Sequence, residues 1–195
     1  MVNSSRSALS VFLRSDAQGT ILAETLGRPG EEMTLTDLAT RTGVNIATTH
    51  REVQRLVTAA VLVERRVGQA RLVSANTTHP LFTNMQAIVN QTYGPEPVLR
   101  DLFDGTPGVQ QAFIYGSWAD RRRGVQGPPP QDIDVLAVGE LDLPTMLSIR
   151  QEAGRRLRRE VNIHRVAAEA WANPGEDSFL TTVQSRPLIP LGKEA

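Results

Sequence analysis

Asp132 and Asp134 stand one residue apart at the start of the apolar run Asp132–Val138, and Gly116-Ser117 closes an earlier run, Val109–Tyr115. Side chains alternate along a strand, so both carboxylates project from one face, about 7 Å apart, while Ile133 and Val135 enter the other. Carboxylates in that arrangement suit a hard divalent cation, because magnesium takes oxygen ligands and completes its shell with water and phosphate. The Gly-Ser turn offers backbone N–H groups and a hydroxyl, and a helix expected to start near Trp118 adds the positive end of its dipole. Together these residues describe a cradle for a metal and a triphosphate. Asp132 and Asp134 would hold the cation, Mg2+ or Mn2+, and Gly116 and Ser117 would meet the phosphate oxygens.

The elements that must position this cradle are two strands, Val109–Tyr115 and Asp132–Val138, joined by the loop Gly116–Gln131 with its Pro128-Pro129-Pro130 tract. A helix over Pro97–Phe103 precedes them, and a helix from about Leu143 and a third strand, Glu160–Val166, follow. Arg155, Arg156, Arg158 and Arg159 fall on the helix from Leu143 and balance its acids. Arg121–Arg123 read equally as a clamp for phosphates or nucleic acid or as a solvated charge run. Trp171 and Phe179 are assigned to the core.

Gly116-Ser117-Trp118-Ala119, followed after a loop by Asp132-Ile133-Asp134, resembles the polymerase-β-like nucleotidyltransferase superfamily, particularly its minimal nucleotidyltransferases, over about residues 97–170. The resemblance implies transfer of a nucleotidyl group from a nucleoside triphosphate to a hydroxyl. It implies two metal ions and names Asp132 and Asp134 as the catalytic carboxylates. The family's third carboxylate stands on a later strand, and the matching position here is Asn162. An amide offers one oxygen but neither charge nor basicity. Glu160 and His164 share its strand face and can substitute. This departure bears on catalysis rather than on fold.

The first half follows another pattern. Ala17–Leu26 places Ile21, Leu22 and Leu26 at helical spacing, and Gly27-Arg28-Pro29-Gly30 ends the helix. Thr34 or Thr36 can cap a short helix with Leu35, Leu38 and Ala39 inward, and Gly43 supplies a turn. Asn45 caps a longer helix, to Ala59, with Ile46, Val53, Leu56 and Val57 as its apolar positions. Val61–Arg66 and Ala70–Val73 alternate as a hairpin around Val67-Gly68-Gln69.

A short helix, a glycine turn, a longer helix and a hairpin resemble the winged helix-turn-helix repressors of bacteria over roughly residues 17–75. That resemblance implies that the Asn45–Ala59 helix enters the major groove of double-stranded DNA. Thr48, Thr49, His50, Arg51, Gln54 and Arg55 would form its exposed contact face, and Arg65, Arg66 and Arg71 would grip the backbone from the wing.

The chain has 21 basic and 21 acidic residues, so it is not a non-specific polycation, and any nucleic-acid footprint is a local patch. Cysteine is absent, which excludes disulfides, thiolate metal sites and a cysteine nucleophile. The N-terminal apolar stretch is too short for a signal peptide and no run is long enough to span a membrane, so the expected location is cytoplasmic.

The expected fold class is α+β: a winged helix-turn-helix domain (1–78), a connecting helix and linker (79–96) and a small mixed-sheet nucleotidyltransferase-like α/β domain (97–195). Ala8, Leu9, Phe12 and Leu13 suggest an N-terminal helix packing across a homodimer. Three functions fit: a DNA-binding regulator with a silent nucleotide-sensing domain, an active nucleotidyltransferase targeted or self-regulated by its winged helix, and an antitoxin-like partner of a toxin protein.

Overall fold

A computed structural model describes residues 13–192, and the chain divides at Gly94/Pro95 into two units, each with its own core. Ala8, Leu9 and Phe12 of the expected dimerisation helix lie outside the described residues. Leu13 packs, partly buried, against the first core.

In the first unit, Ser15 caps α1 (Asp16–Leu26) by accepting from the Gln18 backbone N–H. Thr34 closes a capping box with Asp37 at the start of α2 (Leu35–Thr42). Gly43 takes φ +68°, the left-handed turn that a side chain would resist. Asn45 then caps α3 (Ile46–Thr58), accepting from the Thr48 backbone N–H at 2.9 Å. The strands β2 (Leu62–Val67) and β3 (Ala70–Ala75) pair antiparallel as a hairpin, and the short β1 (Met33–Thr34) adds to the far edge of β3.

Ile21, Leu26, Leu38, Val53, Leu62 and Val73 are sealed where these elements meet. The segment expected to be a connector forms α4 (Phe82–Tyr93), which packs along α1 and puts Val89 into the same core. It is therefore part of the first unit, because its apolar face finds cover there.

The second unit orders as α5 (Pro95–Phe103), β4 (Val109–Tyr115), α6 (Gly116–Arg122), β5 (Asp132–Gly139), α7 (Leu143–Leu157), β6 (Glu160–Val166), α8 (Ala168–Ala172), α9 (Ser178–Gln184) and β7 (Ile189–Pro190). Its sheet runs β6-β5-β4-β7. β5 and β6 are parallel, joined through α7 as a parallel pair requires, and the other pairs are antiparallel, so the sheet is mixed.

Alternation gives this sheet two faces. Ile133, Val135 and Ala137 of β5 join Leu99, Ile114, Ile149, Ala153 and Val161 in the larger core. Leu136 and Val138 point the other way, with Tyr115 and Val183, and Trp171 is partly buried against them. Asp132 and Asp134 belong to this second face, at the beginning of β5. No described helix is long and apolar enough to cross a membrane.

Candidate nucleic-acid interface and carboxylate site

The period of α3 turns Thr49, Glu52, Val53 and Leu56 toward the core and leaves His50, Arg51, Gln54 and Arg55 exposed. Thr48 is half-buried. Thr49, expected on the contact face, is instead fully buried, and its hydroxyl donates to the Asn45 carbonyl at 3.1 Å. It shares a helical stripe with Val53 and Leu56, which explains the correction. Ile46, read as one of the apolar positions of this helix, is 51% exposed, because it lies at the rim of the stripe that Thr49, Val53 and Leu56 turn to the core.

The basic residues on this surface are not equivalent. Arg51 donates to the Thr48 hydroxyl at 3.1 Å, and Arg55 pairs with the buried Glu52 at 2.8 Å. On the wing, Arg65 holds Glu32 through two nitrogens, and Arg71 bridges Glu64 and the Gln54 side-chain carbonyl, the latter at 3.0 Å. Arg71 thus ties the α3 face to the hairpin. The Glu32 hydrogen bonds hold the Arg65 guanidinium above its ordinary range. Among the described residues Arg66 and His50 make no ion pair, and both are exposed.

In the second unit Asp132 and Asp134 are half-buried on one face of β5, and the parallel register sets Asn162 beside Asp134. The Asn162 amide donates to Asp132 Oδ2 at 3.2 Å and to Asp134 Oδ1 at 3.3 Å, bridging the pair. Gly116 has φ +70°, and a Cβ there would lie 2.8 Å from Asp134 Oδ2. Only glycine lets that carboxylate lie against the start of α6. The helix begins at Gly116, earlier than the expected Trp118, so Gly116 and Ser117 form its first turn.

Burial pushes the Asp134 carboxyl above the usual carboxylate range. The neighbouring Asp132 charge adds to the shift, and the Asn162 hydrogen bond and His164 oppose it. The Tyr115 hydroxyl is pushed up to about 12, first by burial and then by Asp134 and Asp132.

The candidates for a substitute third acid point elsewhere. Glu160 is exposed and faces Arg150 at 3.6 Å, while His164 Nδ1 shares a 2.7 Å hydrogen bond with the Tyr115 hydroxyl. No group of three His, Cys, Asp or Glu side chains placed to hold a metal occurs among the described residues. The arginine run also disperses. Arg121 donates to the Val125 carbonyl and Arg122 faces Glu96 at 3.7 Å, so the three side chains do not converge on one partner. Asp120, 2% exposed, pairs with Arg186, an anchor that sequence spacing did not disclose because the partners lie 66 residues apart.

Arg158 and Arg159 fall beyond the end of α7. Arg158 adopts the left-handed cap conformation, and Arg159 donates to the Pro130 carbonyl at 3.0 Å. Arg155 and Arg156 pair with Glu152 and Asp101. Phe179, assigned to the core, is 42% exposed and packs edge-on to Tyr115, whereas Trp171 stacks on Phe113 with ring centroids 5.5 Å apart.

Residues 22–65, from α1 into β2, match the IclR helix-turn-helix domain. The first unit therefore contains a helix-turn-helix DNA-binding domain of the kind found in transcription regulators. No curated protein matches the chain.

Proposed function

We propose that the protein is a DNA-binding regulator whose second unit senses a nucleoside triphosphate, bound through one divalent cation at Asp132 and Asp134. The observation that carries this reading is the Asn162 amide bridging the two carboxylates. The two carboxylates carry two negative charges and suit one hard cation, with phosphate oxygens and water filling its shell. The Asn162 amide, which donates its N–H groups to both carboxylates without the cation, would turn its oxygen toward it. When bound, that cation neutralises phosphate charge. Gly116 lies close against Asp134, which supports Gly116 and Ser117 as the residues that would meet the phosphate oxygens. A neutral side chain in place of a third carboxylate supplies no base for an acceptor hydroxyl, which favours sensing over transfer.

Nucleotidyl transfer is the second reading, favoured by the contact between the Gly-Ser turn and Asp134. In the DNA-binding unit, Thr48, His50, Arg51, Gln54 and Arg55 face the major groove and the arginines of the wing reach phosphates. The protein acts as a homodimer, because a two-fold assembly matches a palindromic site.

Calorimetry of the full chain with ATP and magnesium tests the sensor, and incubation with labelled ATP tests transfer. The expected result is magnesium-dependent binding without turnover, with Asn162→Asp raising any residual transfer. Rapid transfer by the wild type would make the protein an enzyme. Failure to bind any triphosphate would remove both nucleotide readings and leave the DNA-binding domain as the sole assignment.

A further inference from the structure

Ile46 opens α3 and, unlike Val53 and Leu56 of the same helix, turns out of the core with 51% of its surface exposed. His50 lies one turn further on, and the helical period brings Ala47, Arg51 and Gln54 onto the adjoining surface. A single exposed isoleucine is ordinary on a protein surface. This one stands among polar side chains at the end of the helix that, in a helix-turn-helix, presents its N-terminal residues to base edges.

The major groove displays hydrogen-bond donors and acceptors on every base pair, and one apolar group, the C5 methyl of thymine. Against any other base edge, an isoleucine would strip water from polar atoms and return no hydrogen bond. We infer that Ile46 is a specificity-determining residue that packs on the C5 methyl of one thymine in each half-site. The inference rests on the reading of α3 as the groove-binding helix, and adds an apolar contact to the polar ones already named.

The test uses the full chain. Duplexes are selected from a randomised library, and the selected duplex is remade with each dT replaced in turn by dU, which pairs identically but lacks the methyl. One dU position per half-site is expected to raise the wild-type Kd about fourfold, the worth of one buried methyl group. The Ile46→Ala protein, whose helix is preserved by alanine's high propensity, is expected to bind the dT and dU duplexes alike at that position. Circular dichroism confirms its fold. The inference is overturned if no dU position affects the wild type, or if Ile46→Ala keeps the same dU penalty. A library that enriches no sequence overturns the groove reading and this inference with it. An enriched sequence indifferent to dU overturns the inference alone.

Discussion

The α3 face and the β5 carboxylates both gather polar groups at the beginning of an element, but they are held in different ways. On α3 and the wing the outward side chains are largely exposed, and three of the five arginines there have a glutamate beside them: Arg55 with Glu52, Arg65 with Glu32, Arg71 with Glu64. Their charge costs the fold little, and exchanging a carboxylate for a phosphate leaves the local charge balance similar. On β5 two like charges are half-buried together, and the only side chain bridging them among the described residues is a neutral amide. That arrangement opposes folding once both are ionised, a cost typical of sites kept for a ligand. Substitution should therefore separate the two regions. Changes on α3 should cost binding and spare stability, whereas changes on β5 should cost binding and relieve the fold.

The largest expected effect lies at the acid pair. Asp134→Ala is expected to abolish magnesium-dependent triphosphate binding in calorimetry, while the melting temperature at pH 7 stays level or rises. The sign follows from the raised Asp134 carboxyl, which is easier to ionise unfolded than folded. A clear fall in melting temperature would mean that Asp134 supports the fold, and the contrast with α3 would collapse.

Next in size, Arg51→Ala and Gln54→Ala are each expected to weaken binding to the selected duplex by about 1–3 kcal/mol, if both reach base edges. Neither should shift the melt by more than about 0.5 kcal/mol, as for other exposed positions. Thr49→Val makes the internal control, since Thr49 is buried and should affect stability rather than sequence preference.

A smaller difference separates the wing arginines. Arg66→Ala is expected to lower the salt slope of binding by about one unit, the loss of one phosphate contact. Arg65→Ala should lower it less, because its guanidinium is already held by Glu32 and contributes less to a phosphate contact. Equal slopes would show that the Arg65–Glu32 pair opens at no cost.

The smallest effect concerns acid. Burial raises the Glu31 carboxyl, but hydrogen bonds and charge from Arg41 and Arg28 outweigh it and hold the group below its ordinary range. A lowered folded value gives stability that is present above the unfolded value and lost as pH falls through the folded one. Thermal melts between pH 6 and 3 should therefore show the wild type losing about 0.5–1 kcal/mol more than Glu31→Gln. Parallel curves would assign the acid sensitivity to other carboxylates.

Much of the architecture was legible because it is local. Thr34, one of the two caps the sequence allowed, and Asn45 ahead of an apolar period mark helix starts through contacts within three residues, and Gly43 marks a turn by its own backbone freedom. Alternation at Asp132–Val138 placed both carboxylates on one face before any partner strand was known. Positions at the rim of a helical stripe were not decided this way. Ile46 and Thr49 are separated by less than a turn, and the packing of neighbouring helices decides which one meets water.

Residues joined across long stretches of chain were equally hidden. The parallel pairing of β5 with β6 sets Asn162 against Asp134, and only that register turns its amide into a bridge between the two carboxylates. Asp120 found Arg186 through the same long-range assembly, and Glu160 turned to Arg150 across the shorter return from α7 to β6. The residue types, their caps and their periods were thus determined by the sequence itself, through interactions spanning a few residues. Which face is sealed, and which partner a buried charge meets, was decided by the tertiary structure, because burial and charge depend on neighbours that the chain brings back from afar.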